Sequence, residues 1–221
     1  MALGILDCIL VKARIFDIVI MSDTTPVFIT PERNEKLQRV LTKKQPSLTI
    51  VLENVHDPHN VSAVLRSCDA VGVVEAFLIY NGKEEFPELG RKSSGSAKKW
   101  IDLHQFSTAN ECFAALRARG YAIYTTNMAN DAVSLYALNL TQPVALVFGN
   151  EHSGVSEEAL ALADGNFLIP QVGMIQSLNI SVACAVSLFE AYRQRDLAGK
   201  YAEAQFTPEE FATKLLDWQQ R

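Results

Sequence analysis

The sequence predicts an α/β domain built on an open, mostly parallel sheet with helices on both faces. Three observations predict it. Apolar runs of four to eight residues alternate with segments of helical periodicity. Several of these runs are apolar throughout, as strands covered on both faces must be. Polar residues gather where strand-like runs give way to helices, and sheets of this kind bind ligands beyond the carboxyl ends of their strands.

Each element follows in order. In ERNEKLQRVLTKK (32–44), Leu37, Val40 and Leu41 fall at helical spacing, with Lys36, Arg39, Lys43 and Lys44 on the remaining surface, and Pro46 ends the helix. LTIVLENV (48–55) reads as a buried strand, NVSAVLRSCDAVG (60–72) as a helix closed by Gly72, and VEAFLIY (74–80) as a second strand. The connection 81–99 is long, and its RKSSGSAKK end is basic. STANECFAALRARG (107–120) reads as a helix closed by Gly120, YAIYTT (121–126) and PVALVFGN (143–150) as strands, and SEEALALAD (156–164) as a helix. FLIP (167–170) reads as a short strand, SLNISVACAVSLFEAYRQR (177–195) as a long helix and TPEEFATKLLDWQQ (207–220) as a final one.

Composition narrows the classes. With 221 residues, 48% hydrophobic, the chain buries a core without staples. Cys8, Cys68, Cys112 and Cys184 form no CxxC pair, so a disulfide framework or zinc site is not expected and a reducing compartment is. A net charge of −5 excludes a generally basic nucleic-acid coat. Yet 32–44 holds five basic residues against two acidic, either a solvated helix face or a local basic patch. The first twenty residues are apolar but interrupted by Asp7, Lys12, Arg14 and Asp17, so they neither span a bilayer nor form a secretory signal. They read either as a short amphipathic element or as residues upstream of a natural start at Met21, and carry no chemistry in either reading.

Three junctions hold the candidate site residues. In ENVHDPHNVSAVLR (53–66), Asn54, His56, His59 and Asn60 follow a strand. Asn60 suits a helix N-cap, and two histidines without a third ligand do not make a metal site. Arg66 lies among apolar residues, where a buried arginine requires a partner or a ligand. In VALVFGNEHSGVS (144–156), Ser156 suits a helix cap, but capping leaves Glu151, just past the strand, unexplained. In IPQVGMIQSLNISVA (169–183), Ser177 suits an N-cap and Asn179 falls just inside an apolar helix. Dinucleotide, P-loop and nucleophile-elbow fingerprints are all missing.

Taken together, NVSAVLR (60–66), LVFGNE (146–151) and IPQVGMIQSLNISVA resemble the three motifs of the SpoU/TrmH family of SPOUT methyltransferases. KKQP (43–46), CDAVGV (68–73), GVSEEALALAD (154–164) and FEAYRQR (189–195) extend the likeness over residues 33–200. The resemblance implies a deep trefoil knot at the carboxyl end of the sheet. Knot loops near 125–128, 148–154 and 168–180 would hold S-adenosylmethionine, with Thr126, Gly149, Ile169 and Leu178 as cofactor positions. It also implies a cytoplasmic homodimer with helix 177–195 at the interface, no metal and no membrane. The reaction it implies is methylation of the ribose 2′-hydroxyl of guanosine 18 in the tRNA D-loop. The chain then divides into an N-terminal segment 1–30, a basic helix 31–46, a methyltransferase domain 47–200 and a C-terminal helix 201–221.

Residue by residue, Arg66 matches the family's catalytic arginine, Asn60 lies near it, Glu151 and Asn179 would shape the pocket and orient Arg66 or the ribose, and Ser177 would support Asn179. Glu151 would be the buried partner that Arg66 requires. A guanidinium deprotonates only above about pH 12, so Arg66 is expected to position a phosphate and stabilise a developing alkoxide. Lys36, Arg39, His59, Arg193 and Arg195 fall on the implied RNA-binding surface. His152 and Ser153 depart from the family pattern after Glu151, and Lys36 stands where relatives carry arginine. A ribosomal RNA 2′-O-methyltransferase would share the motifs but add an N-terminal RNA-binding domain. A non-catalytic knotted RNA-binding protein would lack Arg66, Glu151 or Asn179, and a nucleotide-dependent metabolic enzyme would carry a dinucleotide fingerprint.

Overall fold

The computed structural model describes residues 29–81, 97–128 and 132–221, of which Pro31–Arg221 form one compact unit. The readings made for residues 1–20 and for most of the 81–99 connection lie outside the described residues. Seven strands run parallel in one sheet: β1 (Leu48–Glu53), β2 (Glu75–Ile79), β3 (Asp102–Phe106), β4 (Ala122–Thr126), β5 (Val133–Ser134), β6 (Val144–Phe148) and β7 (Gly165–Leu168). Their spatial order is β3-β2-β1-β6-β4-β7-β5. The helices are α1 (Pro31–Thr42), α2 (Pro58–Ala70), α3 (Ala109–Ala118), α4 (Glu157–Leu162), α5 (Ile180–Leu197) and α6 (Pro208–Gln220).

The expected architecture holds because β1, β2 and β6 are buried on both faces. Ile50, Leu52, Leu146 and Phe148 pack with Val64, Leu65, Cys184 and Leu188 of α2 and α5. The alternate residues Val51, Ala145 and Val147 pack with Cys112, Phe113, Leu116 and Ala159 of α3 and α4. Each fully buried Leu or Phe contributes roughly 1.5–3 kcal/mol. A third cluster joins α1 to α6 through Leu37, Leu41 and Trp218.

Several sequence readings need correction. Strand β3 went unread because Asp102, His104 and Gln105 make it polar, and it tolerates them as an edge strand. The two-residue β5 was also unread, and β7 starts and ends two residues earlier than the FLIP run. Lys44, expected at the surface, is buried and paired with Asp69 at 2.7 Å. Its Nζ also donates to the Val73 carbonyl and lies 5.5 Å from the Trp218 ring centre. Helix α2 is capped by Asp57, whose carboxylate accepts the His59 N–H at 2.8 Å, with Pro58 in the first turn. It ends at a turn through Gly72 (φ +86°), where a Cβ would stand 2.6 Å from the Lys43 carbonyl oxygen.

Candidate functional site

A cleft of about 1060 Å³ opens beyond the carboxyl ends of β4, β6 and β7 and reaches the start of α5. All four residues expected to meet a cofactor line it: Thr126, Gly149, Ile169 and Leu178. Glu151, Ser177 and Asn179 line it as well. Thr126 ends β4, and its hydroxyl donates to the Val147 carbonyl at 3.1 Å, tying that strand end to β6. At Gly149 the chain folds back on itself: Asn150 N–H donates to Gly154 O at 3.0 Å and Gly154 N–H to Asn150 O at 2.8 Å. A Cβ on Gly149 would stand 2.1 Å from the Gly154 carbonyl, so only glycine permits this closure.

The three polar junctions meet through two hydrogen bonds. Asn60 Nδ2 donates to Glu151 Oε1 at 2.7 Å, and Asn179 Nδ2 donates to Asn60 Oδ1 at 3.2 Å. Asn179 Oδ1 accepts from both the backbone and the hydroxyl of Ser181, at 2.9 and 2.6 Å. Asn179 is therefore the N-cap of α5, and Ser177, which suits that role in the sequence, lies exposed before the helix. Asn60 likewise is not a cap but stands in the first turn of α2, where its amide joins Glu151 to Asn179. His59 beside it is exposed.

Arg66 contradicts its expected setting. It is exposed on α2, makes no hydrogen bond or ion pair with the described residues, and does not line the cleft. The buried stripe of α2 is Val61, Val64, Leu65 and Cys68, and Arg66 falls off it. Glu151 is accordingly the partner of Asn60, not of Arg66.

The cationic candidates separate by burial. Lys36 and Arg39 are exposed on α1. Arg193 is exposed and forms a bidentate pair with Glu190 at 2.7 and 2.8 Å, which raises the Arg193 pKa and lowers that of Glu190. Arg195, expected to face RNA, is 0% exposed. Its guanidinium donates to the carbonyls of Leu140, Ser47 and Gln142, to Gln45 Oε1 and to the Ser47 hydroxyl, all within 3.1 Å. Burial pulls its pKa down to about 10. The RNA-facing reading of Arg195 is corrected: every N–H direction of the fork is taken by the protein's own oxygens.

The cleft also includes Asn127, Gln171 and Gln176, which the sequence reading did not single out. Asn127 directly follows a strand end, and that position was its signal. From 170 to 178 no backbone group is hydrogen-bonded to another described residue. The rim therefore offers free N–H and C=O groups beside apolar Phe148, Ile169, Leu178 and Ala183. Apolar walls with a few polar groups are the lining of a small-molecule site.

Comparison with known proteins agrees with this geometry. The SpoU rRNA Methylase family matches residues 47–189. The tRNA (guanosine(18)-2′-O)-methyltransferase of Thermus thermophilus is 48% identical over 189 residues, covering 86% of this chain and 96% of that protein. The crystal structure of the Aquifex aeolicus TrmH/SpoU tRNA modifying enzyme superposes with a TM-score of 0.80 at 33% identity, covering 86% of this chain and 95% of the other. An AdoMet-bound rRNA methyltransferase from Sinorhizobium meliloti superposes at 0.54 with 25% identity, covering 71% of this chain and 59% of the other.

Proposed function

The chain belongs to the SpoU methylase family, and from that premise we infer that it is a tRNA (guanosine(18)-2′-O)-methyltransferase. The observation that carries the reading is one cleft lined at once by Thr126, Gly149, Ile169, Leu178, Glu151 and Asn179. Near-complete coverage of the Thermus tRNA enzyme, against 59% of the rRNA enzyme, favours tRNA as the substrate.

S-adenosylmethionine supplies a methyl group on a positively charged sulfur, which the ribose 2′-oxygen displaces. Thr126, Gly149, Ile169 and Leu178 would hold it, with the backbone groups of residues 170–178 beside them. Glu151 and Asn179, locked through Asn60, orient the ribose at the cleft. Ser177, exposed on the same rim, adds a hydroxyl there. Arg66, on the exposed face of α2, holds an RNA phosphate and stabilises the developing 2′-alkoxide. Among the described residues no side chain or backbone group occupies the guanidinium, which suits it to that task. Lys36, Arg39, His59 and Arg193 extend the RNA-facing surface, which positions the substrate through its phosphates.

In this reading the loops around the cleft form the family's knot, and two copies associate through α5. That helix exposes Val182 and Phe189, one heptad apart, the latter at 52% exposure. Among the described residues no helix is long and apolar enough to cross a membrane, and we place the enzyme with its tRNA in the cytoplasm. The test is incubation with labelled S-adenosylmethionine and unmodified tRNA transcript, followed by mapping of the methylated nucleotide. Label on the ribose of guanosine 18 is the expected result; label only in ribosomal RNA would overturn the substrate.

A further inference from the structure

Strand β1 ends in a carboxylate that the reaction above leaves unused. Glu53 is 4% exposed, and both of its oxygens serve one residue. Oε2 accepts the Ser156 backbone N–H at 2.8 Å, and Oε1 accepts the Ser156 hydroxyl at 2.6 Å. That hydroxyl in turn accepts the Ala159 N–H at 3.2 Å as the cap of α4. A serine hydroxyl has one proton to give. Donating it to Glu53 therefore fixes the side chain's direction.

The next residue makes a second tie. Asn54 adopts φ +52°, and its carbonyl accepts from Asn150 Nδ2 at 2.7 Å. The other side of the Asn150 amide accepts the N–H groups of His152 and Ser153, at 2.7 and 3.3 Å. The last residue of β1 and the residue after it thus grip the 149–156 loop near both of its ends. Between the grips stands Glu151, which holds Asn60, and the same loop forms one wall of the cleft.

We propose that Glu53 and Asn54 are positioning residues for methyl transfer, clamping the 149–156 loop so that Glu151 and the cofactor wall keep their places. Helix capping alone does not call for the carboxylate. Thr108 caps α3 by accepting the Glu111 N–H, with no buried acid behind it. A buried carboxylate is costly unless hydrogen-bonded, so its place at the end of an apolar strand needs a return beyond packing. The left-handed conformation of Asn54 likewise turns its carbonyl toward the loop, and asparagine tolerates it better than most residues.

The proposal rests on the cofactor reading of the cleft, and the experiment separates the two. Equilibrium binding of S-adenosylmethionine and of tRNA is measured for the wild type, Glu53→Gln, Ser156→Ala, their double variant and Ser156→Thr. Every protein is first shown to be folded at the assay temperature by circular dichroism. Glu53→Gln keeps the shape but removes the charge, and its amide nitrogen reverses the bond to the Ser156 hydroxyl, whose proton then loses its acceptor. Its Kd for S-adenosylmethionine is expected to rise about tenfold, the scale of one charge-assisted hydrogen bond. The tRNA Kd should stay within about twofold, and Ser156→Thr should approach wild type, since threonine keeps the hydroxyl. The double variant should bind no more weakly than the weaker single one, because both break the same link. A folded Glu53→Gln that binds the cofactor like the wild type overturns the clamp, even if its melting temperature falls. A wild type that does not bind S-adenosylmethionine overturns the cofactor reading and the clamp together. Should Glu53→Gln not fold, Asn150→Ala cuts the second tie and carries the same expectation and the same reversal.

Discussion

Asn60 and Glu151 are 91 residues apart in sequence, yet Asn60 Nδ2 donates to Glu151 Oε1 at 2.7 Å. The Asn60 oxygen accepts from Asn179 on its other side. An amide can serve both neighbours because it carries a donor and an acceptor, whereas a carboxylate of the same shape carries only acceptors. One side chain in α2 thereby brings the three polar junctions together.

Asn60→Asp should expose this dependence. It sets two carboxylates at hydrogen-bond distance, so one must take a proton or the pair must separate. We expect kcat to fall at least about tenfold, the scale of one strong hydrogen bond. The sign of the pH dependence follows: protonation relieves the repulsion, so the deficit grows as pH rises and shrinks as it falls. The double variant Asn60→Asp/Glu151→Gln exchanges donor and acceptor and should regain much of the rate. A pH-independent deficit, equal in the single and double variants, would remove the pair from the site's architecture.

Arg66 is the reverse case, an exposed residue with no hydrogen bond or ion pair to the other described residues. Arg66→Ala should leave unfolding free energy within about 0.5 kcal/mol, as for other exposed positions without partners. Methyl transfer should vanish while affinity for S-adenosylmethionine stays unchanged. Calorimetric binding together with single-turnover assays checks this, and a parallel loss of cofactor affinity would move Arg66 from the chemistry into the pocket.

Arg193 and Arg195 are two residues apart and should behave as different kinds of residue. Arg195→Ala takes the guanidinium donor from the Leu140 and Gln142 carbonyls, from Gln45 Oε1 and from the Ser47 hydroxyl, and should cost on the order of 3 kcal/mol in urea unfolding. Arg193→Ala should leave stability nearly unchanged but weaken tRNA binding and lower its salt slope by about one. A normal urea midpoint for Arg195→Ala would show that the buried fork is dispensable.

These contrasts show what the sequence could reveal. The buried strands β1, β2 and β6 were legible because a strand covered on both faces must be apolar throughout. Edge strand β3 was not, since half its residues meet water and its polar letters carry no period. Asp57 and Asn60 are both good caps, and Pro58 in the first turn was the local signal that favoured Asp57. The placing of Arg66 inside follows from its neighbours in sequence rather than helical phase, and that of Arg195 on the RNA surface from the family resemblance. Arg195 continues the stripe Cys184, Leu188, Ala191 at spacings of four, three and four, which the 3.6-residue period assigns to the core. The Asn60–Glu151–Asn179 chain was visible only as three separate motifs. Their hydrogen bonds depend on how β1, β6 and β7 are ordered in the sheet, which no local pattern encodes.

The described cysteines, Cys68, Cys112 and Cys184, are free and buried. Burial is the main cause that raises their pKa values, to about 12 for Cys68 and Cys112 and well above the usual thiol range for Cys184. Since the thiolate is the reactive species, native protein at pH 8 should resist alkylation at all three, and labelling should follow only on unfolding. Peptide mapping after iodoacetamide treatment reads each site separately. Labelling of Cys68 in the native state at the rate of a free thiol would mean that the α2–α5 interface opens readily.

The outer face of α5 leads to the last expectation. Cys184, Leu188 and Ala191 already face the sheet, so Val182 and Phe189 have no core left to join. A second copy of the chain would cover them, the same patch on both copies meeting across an isologous interface. Phe189→Glu places a charge where that contact would form, and burying it unpaired is costly. We expect sedimentation to show a dimer for the wild type and a monomer for Phe189→Glu, with circular dichroism unchanged. The α5 N-cap, Asn179, stands in the cleft and the dimer would brace its helix. Methyl transfer should therefore fall along with the dimer fraction as protein is diluted. A Phe189→Glu variant that stays dimeric would move the interface to another face.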